Sequence, residues 1–327
     1  MFAAVWSTAL IPSAALALLV LLLVRRGTTQ TIALAALIAC SPWTFDPLFR
    51  YRTPDQFGLA FLIASGLVLW RTSGRARTAW LAVLGLLGAV LTLVHEATMA
   101  VWGIFALLLI VQTPASVASR LRAVILVYSP GLFAMASVMA FGRSDGDLVS
   151  LLRGQPTTAV FLDQQFVGTP GYGGVLAHMG DSIADSLALV HSISPLRAIL
   201  MLSWGLMLLL IHYSWLKGAS PSFLRALRPL DELPRAWIVW ASWAISGAAV
   251  LFVFATGVDW IRWFCSAGTS ILVIGALLLL RHPNSGDRTW TGDFSPALVA
   301  IGVYFATRPV LPPMGTDSIK GLLDWWL

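Results

Sequence analysis

The chain has 327 residues, of which 58% are hydrophobic and 11% charged, with a mean hydropathy of +0.81. So little polar surface excludes a water-soluble domain of this length and points to an all-α, polytopic transmembrane bundle, one integral membrane unit over 1–327. The net charge of +6 does not point to nucleic acid, because the lysines and arginines cluster in connections between apolar runs, where the positive-inside rule places them.

Taken in chain order, the apolar runs predict about ten spans, near 7–24, 28–44, 57–70, 79–94, 97–112, 123–142, 196–216, 236–256, 263–281 and 294–311. The first run has no basic residue before it and is followed by Arg25 and Arg26. That order is the reverse of a cleavable signal peptide, so this helix is expected to stay in the membrane with its N-terminus outside. The stretch 79–112 could be one interrupted helix. Basic residues flank it on both sides, however, with Arg71, Arg75 and Arg77 before and Arg120 and Arg122 after. If both groups face the cytoplasm, the chain crosses twice between them. Two helices of roughly sixteen residues, turning at His95-Glu96, satisfy that parity. The turn also spares a charged pair from mid-bilayer.

With ten spans, both termini are extracytoplasmic. Thirteen of the 21 lysines and arginines then fall inside, whereas eleven of the 15 acids fall outside. The Lys/Arg bias is the part that carries topological weight. Trp43, Trp70, Trp80, Trp237, Trp260 and Trp263 fall near predicted interfaces. Small residues such as Gly85, Gly88, Gly247 and Ala248 would allow close helix packing. The longest loop, about 143–195, is extracytoplasmic and contains Gly168-Thr-Pro-Gly-Tyr-Gly-Gly174. Within it, Asp181–His191 has the spacing of a short amphipathic helix on the membrane or over a cavity. Cys40 and Cys265 lack metal-ligand spacing, and no obligatory disulfide is expected.

This topology puts three polar patches on one extracytoplasmic face. The first holds Asp46, Arg50, Arg52 and Asp55, between the second and third spans. Arginine forks match phosphate oxygens, so Arg50 and Arg52 could clamp a lipid diphosphate; equally, Arg50 could pair with Asp46 at i, i+4 and order the loop. The second is His95-Glu96, either a general base at a desolvated helix end or an interfacial ion pair. A zinc site is not expected, because position 99 is Met where an HExxH pair needs its second His. The third is Asp259 with Arg262 at i, i+3, flanked by Trp260 and Trp263. It could orient a phosphate beside aromatic platforms for sugar rings, or form a salt bridge within an aromatic belt. His178 and His191 lie in the outer loop, and His212 and His282 lie away from the proposed face.

Together "FDPLFRYRTPDQ" at 45–56, "LVHEA" at 93–97, "DWIRWF" at 259–264 and one large outer loop resemble the bacterial O-antigen and exopolysaccharide polymerase superfamily, including its EpsG-like branch. The resemblance implies a glycosyltransferase that joins polyprenyl-diphosphate-linked oligosaccharides outside the cytoplasmic membrane, without nucleotide sugar, cofactor or metal. Its partners would be the lipid-linked donor and acceptor, membrane lipid, and a chain-length regulator or other biosynthetic proteins; nucleic acid is not among them. On that reading Glu96 or His95 serves as base, with Asp259 sharing the acid–base role. Arg50, Arg52 and Arg262 hold the departing diphosphate, Asp46 and Asp55 orient the arginines, and Trp260 and Trp263 stack on sugar. A flippase or exporter of lipid-linked saccharide, a ligase and a single-addition transferase are the alternatives.

Overall fold

The computed structural model describes residues 2–41, 56–95, 97–113, 115–141, 233–256 and 260–281, with isolated residues elsewhere. All the secondary structure among them is helical: α1 Phe2–Arg26, α2 Thr29–Cys40, α3 Phe57–Arg71, α4 Gly74–Val94, α5 Ala97–Val101, α6 Ala106–Val111, α7 Val117–Phe141, α8 Leu233–Thr256 and α9 Trp260–Arg281, with a 3-10 turn Gly103–Phe105 between α5 and α6. The expected spans 196–216 and 294–311 and the amphipathic segment 181–191 lie essentially outside the described residues.

Three of these helices contain stretches long and apolar enough to cross a bilayer: Gly74–Val94, Val117–Val138 and Trp263–Leu280. Their surroundings differ. The α9 stretch is 83% buried within the protein, against 33% for α4 and 28% for that of α7. The centre of the bundle is therefore α9, while α4 and α7 pack against each other at its margin. Val83, Leu86, Val90 and Leu93 make an exposed stripe along α4. In water such a stripe would be costly; in hydrocarbon it is the natural outer surface.

Local chemistry explains the connections. Gly27 takes φ +69° and ends α1, its amide returning to Val24 O at 2.9 Å. Thr28 then caps α2, accepting the Thr31 amide at 3.2 Å. The second helix is shorter than expected: α2 closes at Cys40 with Ser41 already extended. Between α3 and α4, Thr72 turns its amide back to Val68 O, and Arg77 reaches across to the end of α3. Its Nε and Nη2 donate to Thr72 O at 2.8 and 2.6 Å, satisfying a carbonyl that the helix end leaves without an amide.

Contacts at helix ends fix the direction of the bundle. Arg26, at the end of α1, donates from Nη2 to Leu280 O at the end of α9 (2.9 Å). The ring of Trp70, at the end of α3, lies beneath Arg71 at 4.2 Å and near Arg26 at 5.8 Å. Arg77 at the start of α4 and Arg120 at the start of α7 line one cavity together with Thr113, just past the end of α6. The arginines of the α1, α3–α4 and α6–α7 connections thus gather at one end of the bundle. The start of α3, the end of α4 and the start of α9 accordingly point to the other end.

Small residues act where a neighbouring helix touches them. Pro130 lies inside α7 and has no N–H to return to Leu126 O, four residues earlier. That oxygen faces Gly85 of α4 so closely that a Cβ there would collide with it. Gly88 stands against Met99 and Phe61, and Gly66 against Leu277. Gly247 departs from the packing role expected of it: it is exposed, with nothing within 4 Å of a Cβ position.

Candidate functional site

The polar end opposite the arginines is organised by the connection at His95. The last turn of α4 needs no Gly or Pro to stop. His95 turns extended (φ −159°, ψ 112°) while its amide still donates to Leu91 O at 2.9 Å. Its own carbonyl then accepts the Thr98 amide at 3.0 Å and starts the next helix. His95 is therefore the hinge residue of a helix–helix corner, half-buried and engaged in further interactions. The expected break between 94 and 97 is present at the expected position.

The arm that follows differs from expectation. In place of one helix over 97–112, the chain forms α5, a turn at Trp102, the 3-10 turn and α6. Packing is tight on both sides of the break. Trp102 is fully buried against Gly58, at a distance that leaves no room for a Cβ. Gly103 is pressed by Met99 Sδ, 2.5 Å from where its own Cβ would stand. Breaking a helix inside a bilayer exposes carbonyls that water cannot reach, so neighbouring helices must satisfy them. Here Tyr128 of α7 donates its hydroxyl to Gly103 O at 2.7 Å. Ser246 of α8 donates to Ile104 O at 3.4 Å. The break is a built feature, held from both sides. Thr98 Oγ1 and Trp102 Nε1 are buried there without a hydrogen-bond partner among the described residues.

Of the residues assigned a role in the proposed site, His95 and Trp263 have described side chains. Trp263 is 6% exposed, its ring 5.7 Å from that of Phe254 and tilted by 60°. Phe254 in turn meets Phe264 edge-on at 4.7 Å. Trp263 thus packs in the core instead of offering an open face to a sugar, and its Nε1 has no partner among the described residues. Trp260 and Arg262 belong to the first turn of α9, but their side chains lie outside the described residues. Asp46, Arg50, Arg52, Asp55, Glu96 and Asp259 also lie outside them. What the structure does place are the helix ends that flank all three patches: the start of α3, the α4–α5 corner and the start of α9 share the end of the bundle away from the arginines. The 97–111 break, with its Tyr128 and Ser246 struts, is the feature that sequence reasoning missed. Gly103 after a bulky Trp102 was the available signal.

Fold and composition define the class: the described chain is a helical membrane protein. Residues 1–151 match the family model described as "Uncharacterised membrane protein Rv1490". Among curated proteins, the uncharacterized proteins Rv1490 and MT1536 of Mycobacterium tuberculosis and Mb1527 of Mycobacterium bovis are each 29% identical over 149 residues. That stretch is 44% of this chain and 34% of theirs, so the match spans about a third of the length of these relatives. No solved structure matches. The family match takes in α1 to α7, with the 45–55 patch and the His95-Glu96 corner, and stops before α8 and α9.

Proposed function

We propose that this chain is a ten-span transferase of the bacterial cytoplasmic membrane, joining polyprenyl-diphosphate-linked oligosaccharides at its extracytoplasmic face. The observation that carries the reading is the shared end of the helices bordering the three polar patches, opposite the end where the arginines gather. Applied to those arginines, the positive-inside rule turns the His95 end outward and leaves both ends of the sequence on that side. The motif resemblance supplies the substrate class. In this scheme Glu96 or His95 accepts the proton of an acceptor hydroxyl, and Arg50, Arg52 and Arg262 take up the charge of the departing diphosphate. The test is elongation of a lipid-diphosphate oligosaccharide by purified protein in EDTA. The wild type should form new glycosidic bonds, and Glu96→Gln should form none while remaining folded and inserted. Unchanged product length in the variant would remove Glu96 from the mechanism.

One observation favours a second reading, export of a lipid-linked saccharide. A buried, interrupted helix carrying polar atoms without described partners is the kind of element that lines transport sites. Movement of the labelled lipid across a proteoliposome membrane with no new glycosidic bond would select the exporter.

A further inference from the structure

Several buried hydroxyls of this bundle are satisfied within their own helix, by the carbonyl one turn back. Ser65 donates to Phe61 O at 2.8 Å, Thr92 to Gly88 O at 2.8 Å and Ser242 to Ile238 O at 2.7 Å. Thr98 of α5 and Thr269 and Ser270 of α9 do not follow this pattern. Each is fully buried, and its hydroxyl has no hydrogen-bond partner among the described residues. The indole Nε1 atoms of Trp102 and Trp263 share that condition. We propose that these five groups line a binding site for a short file of water molecules, held between α9 and the interrupted helix.

Register brings the groups together. Both α3 and α9 run toward the arginine end, and Gly66 of α3 faces Leu277 of α9. Eight residues back from each, about 12 Å nearer the His95 end, stand Gly58 and Thr269. Gly58 faces Trp102, so Trp102 and Thr269 lie at one level. Helix α9 also touches α5 and the 3-10 turn directly. Thr98 is one turn from Trp102, whose amide donates to Thr98 O at 3.0 Å. Trp263, Ser270 and Leu277 recur every seven residues and share one face of α9, the face turned to Gly66. The seam thus runs inward from Trp263, near the start of α9, to Thr269 and Ser270. Energetics then call for a ligand. A buried polar group without a hydrogen bond gives up its hydration uncompensated, and ordered water with two to four polar partners removes that penalty. The donor set selects which ligand. Three hydroxyls both donate and accept, and two indoles donate only, with no charge among the five. An anion would call for donors alone and a cation for acceptors alone, whereas water uses both. The seam is separate from the struts of the break, since the Gly103 and Ile104 carbonyls are taken up by Tyr128 of α7 and Ser246 of α8. It requires neither the transferase nor the exporter reading.

The test uses the full chain in bilayers of acyl-chain-deuterated lipid and follows magnetisation transfer from water to the indole N–H groups by solid-state NMR. The Trp102 signal is assigned as the one lost in Trp102→Phe. In the wild type that signal should gain water magnetisation at short mixing times. Thr269→Val combined with Ser270→Ala should abolish the gain. Ser65→Ala removes a hydroxyl already bonded to Phe61 O and should leave the gain unchanged. Thermal unfolding gives a second readout, with opposite signs for a wet and a dry seam. If water occupies it, Thr98→Val and Ser270→Ala should each lower the midpoint, and together by less than their sum, because they share that water. In a dry seam the same substitutions would remove unpaired buried groups and raise the midpoint. Absence of water transfer to the Trp102 indole would overturn the site, as would raised midpoints, or an equal loss of transfer in Ser65→Ala.

Discussion

Replacing Tyr128 by Phe removes a single oxygen and tests how the interrupted helix is held. In the native structure that hydroxyl donates to Gly103 O at 2.7 Å, from α7 into the break between α5 and α6. Gly103 is buried, so no solvent can take over. Its carbonyl keeps the Ala106 amide as a donor, which is shared with Ile104 O. The oxygen is therefore under-satisfied in the variant, not orphaned. A buried group left wholly unpaired costs roughly 1–3 kcal/mol, and interhelical hydrogen bonds within membranes average nearer 0.6 kcal/mol. With the Ala106 amide retained, a loss of about 1 kcal/mol is expected, a fall of roughly 2 °C in the unfolding midpoint. The assay is thermal unfolding of purified protein in one fixed detergent or nanodisc, paired with amide exchange over 103–106, where protection should drop while α9 stays protected. An unchanged midpoint together with unchanged exchange at 103–106 would refute the claim that the hydroxyl supports the break.

The same substitution at two helical glycines should have opposite signs. Gly85→Ala sets a Cβ against the Leu126 carbonyl, a backbone atom that moves only if α7 bends, and should cost about 1–3 kcal/mol. Gly247→Ala meets nothing and should stabilise by up to about 1 kcal/mol through helix propensity; thermal unfolding of both variants in parallel checks the contrast, and equal shifts would contradict the helix contact. Gly58→Ala forces the Trp102 side chain, 2.5 Å from the new Cβ, out of its seat. It should lower the midpoint and change the tryptophan fluorescence, and a native spectrum would mean that Trp102 does not pack there.

Much of the helical layout was legible because lipid imposes it. Runs such as 57–70 and 263–281 could only be helices, since backbone groups there have no water to bond. The corner at His95 was legible for an electrostatic reason, the parity of the arginines on either side. What stayed hidden depended on contacts between distant residues. Nothing in the run "VWGIFALLLIV" reveals that Tyr128 and Ser246 will supply hydroxyls to its carbonyls. Gly85 and Gly247 look alike in sequence, yet one faces a carbonyl freed by Pro130 and the other faces outward. Trp263 fits an aromatic belt by position, but Phe254 draws it into the core.

The central claim is directional: the arginine end of the bundle faces the cytoplasm and the His95 corner faces outward. Single cysteines at position 75 and position 95, in a chain with Cys40 and Cys265 replaced by Ala, test it through a membrane-impermeant thiol reagent applied to intact cells. The account predicts labelling of His95→Cys in intact cells and of Arg75→Cys only after the membrane is opened. Labelling of both from the same side would contradict it.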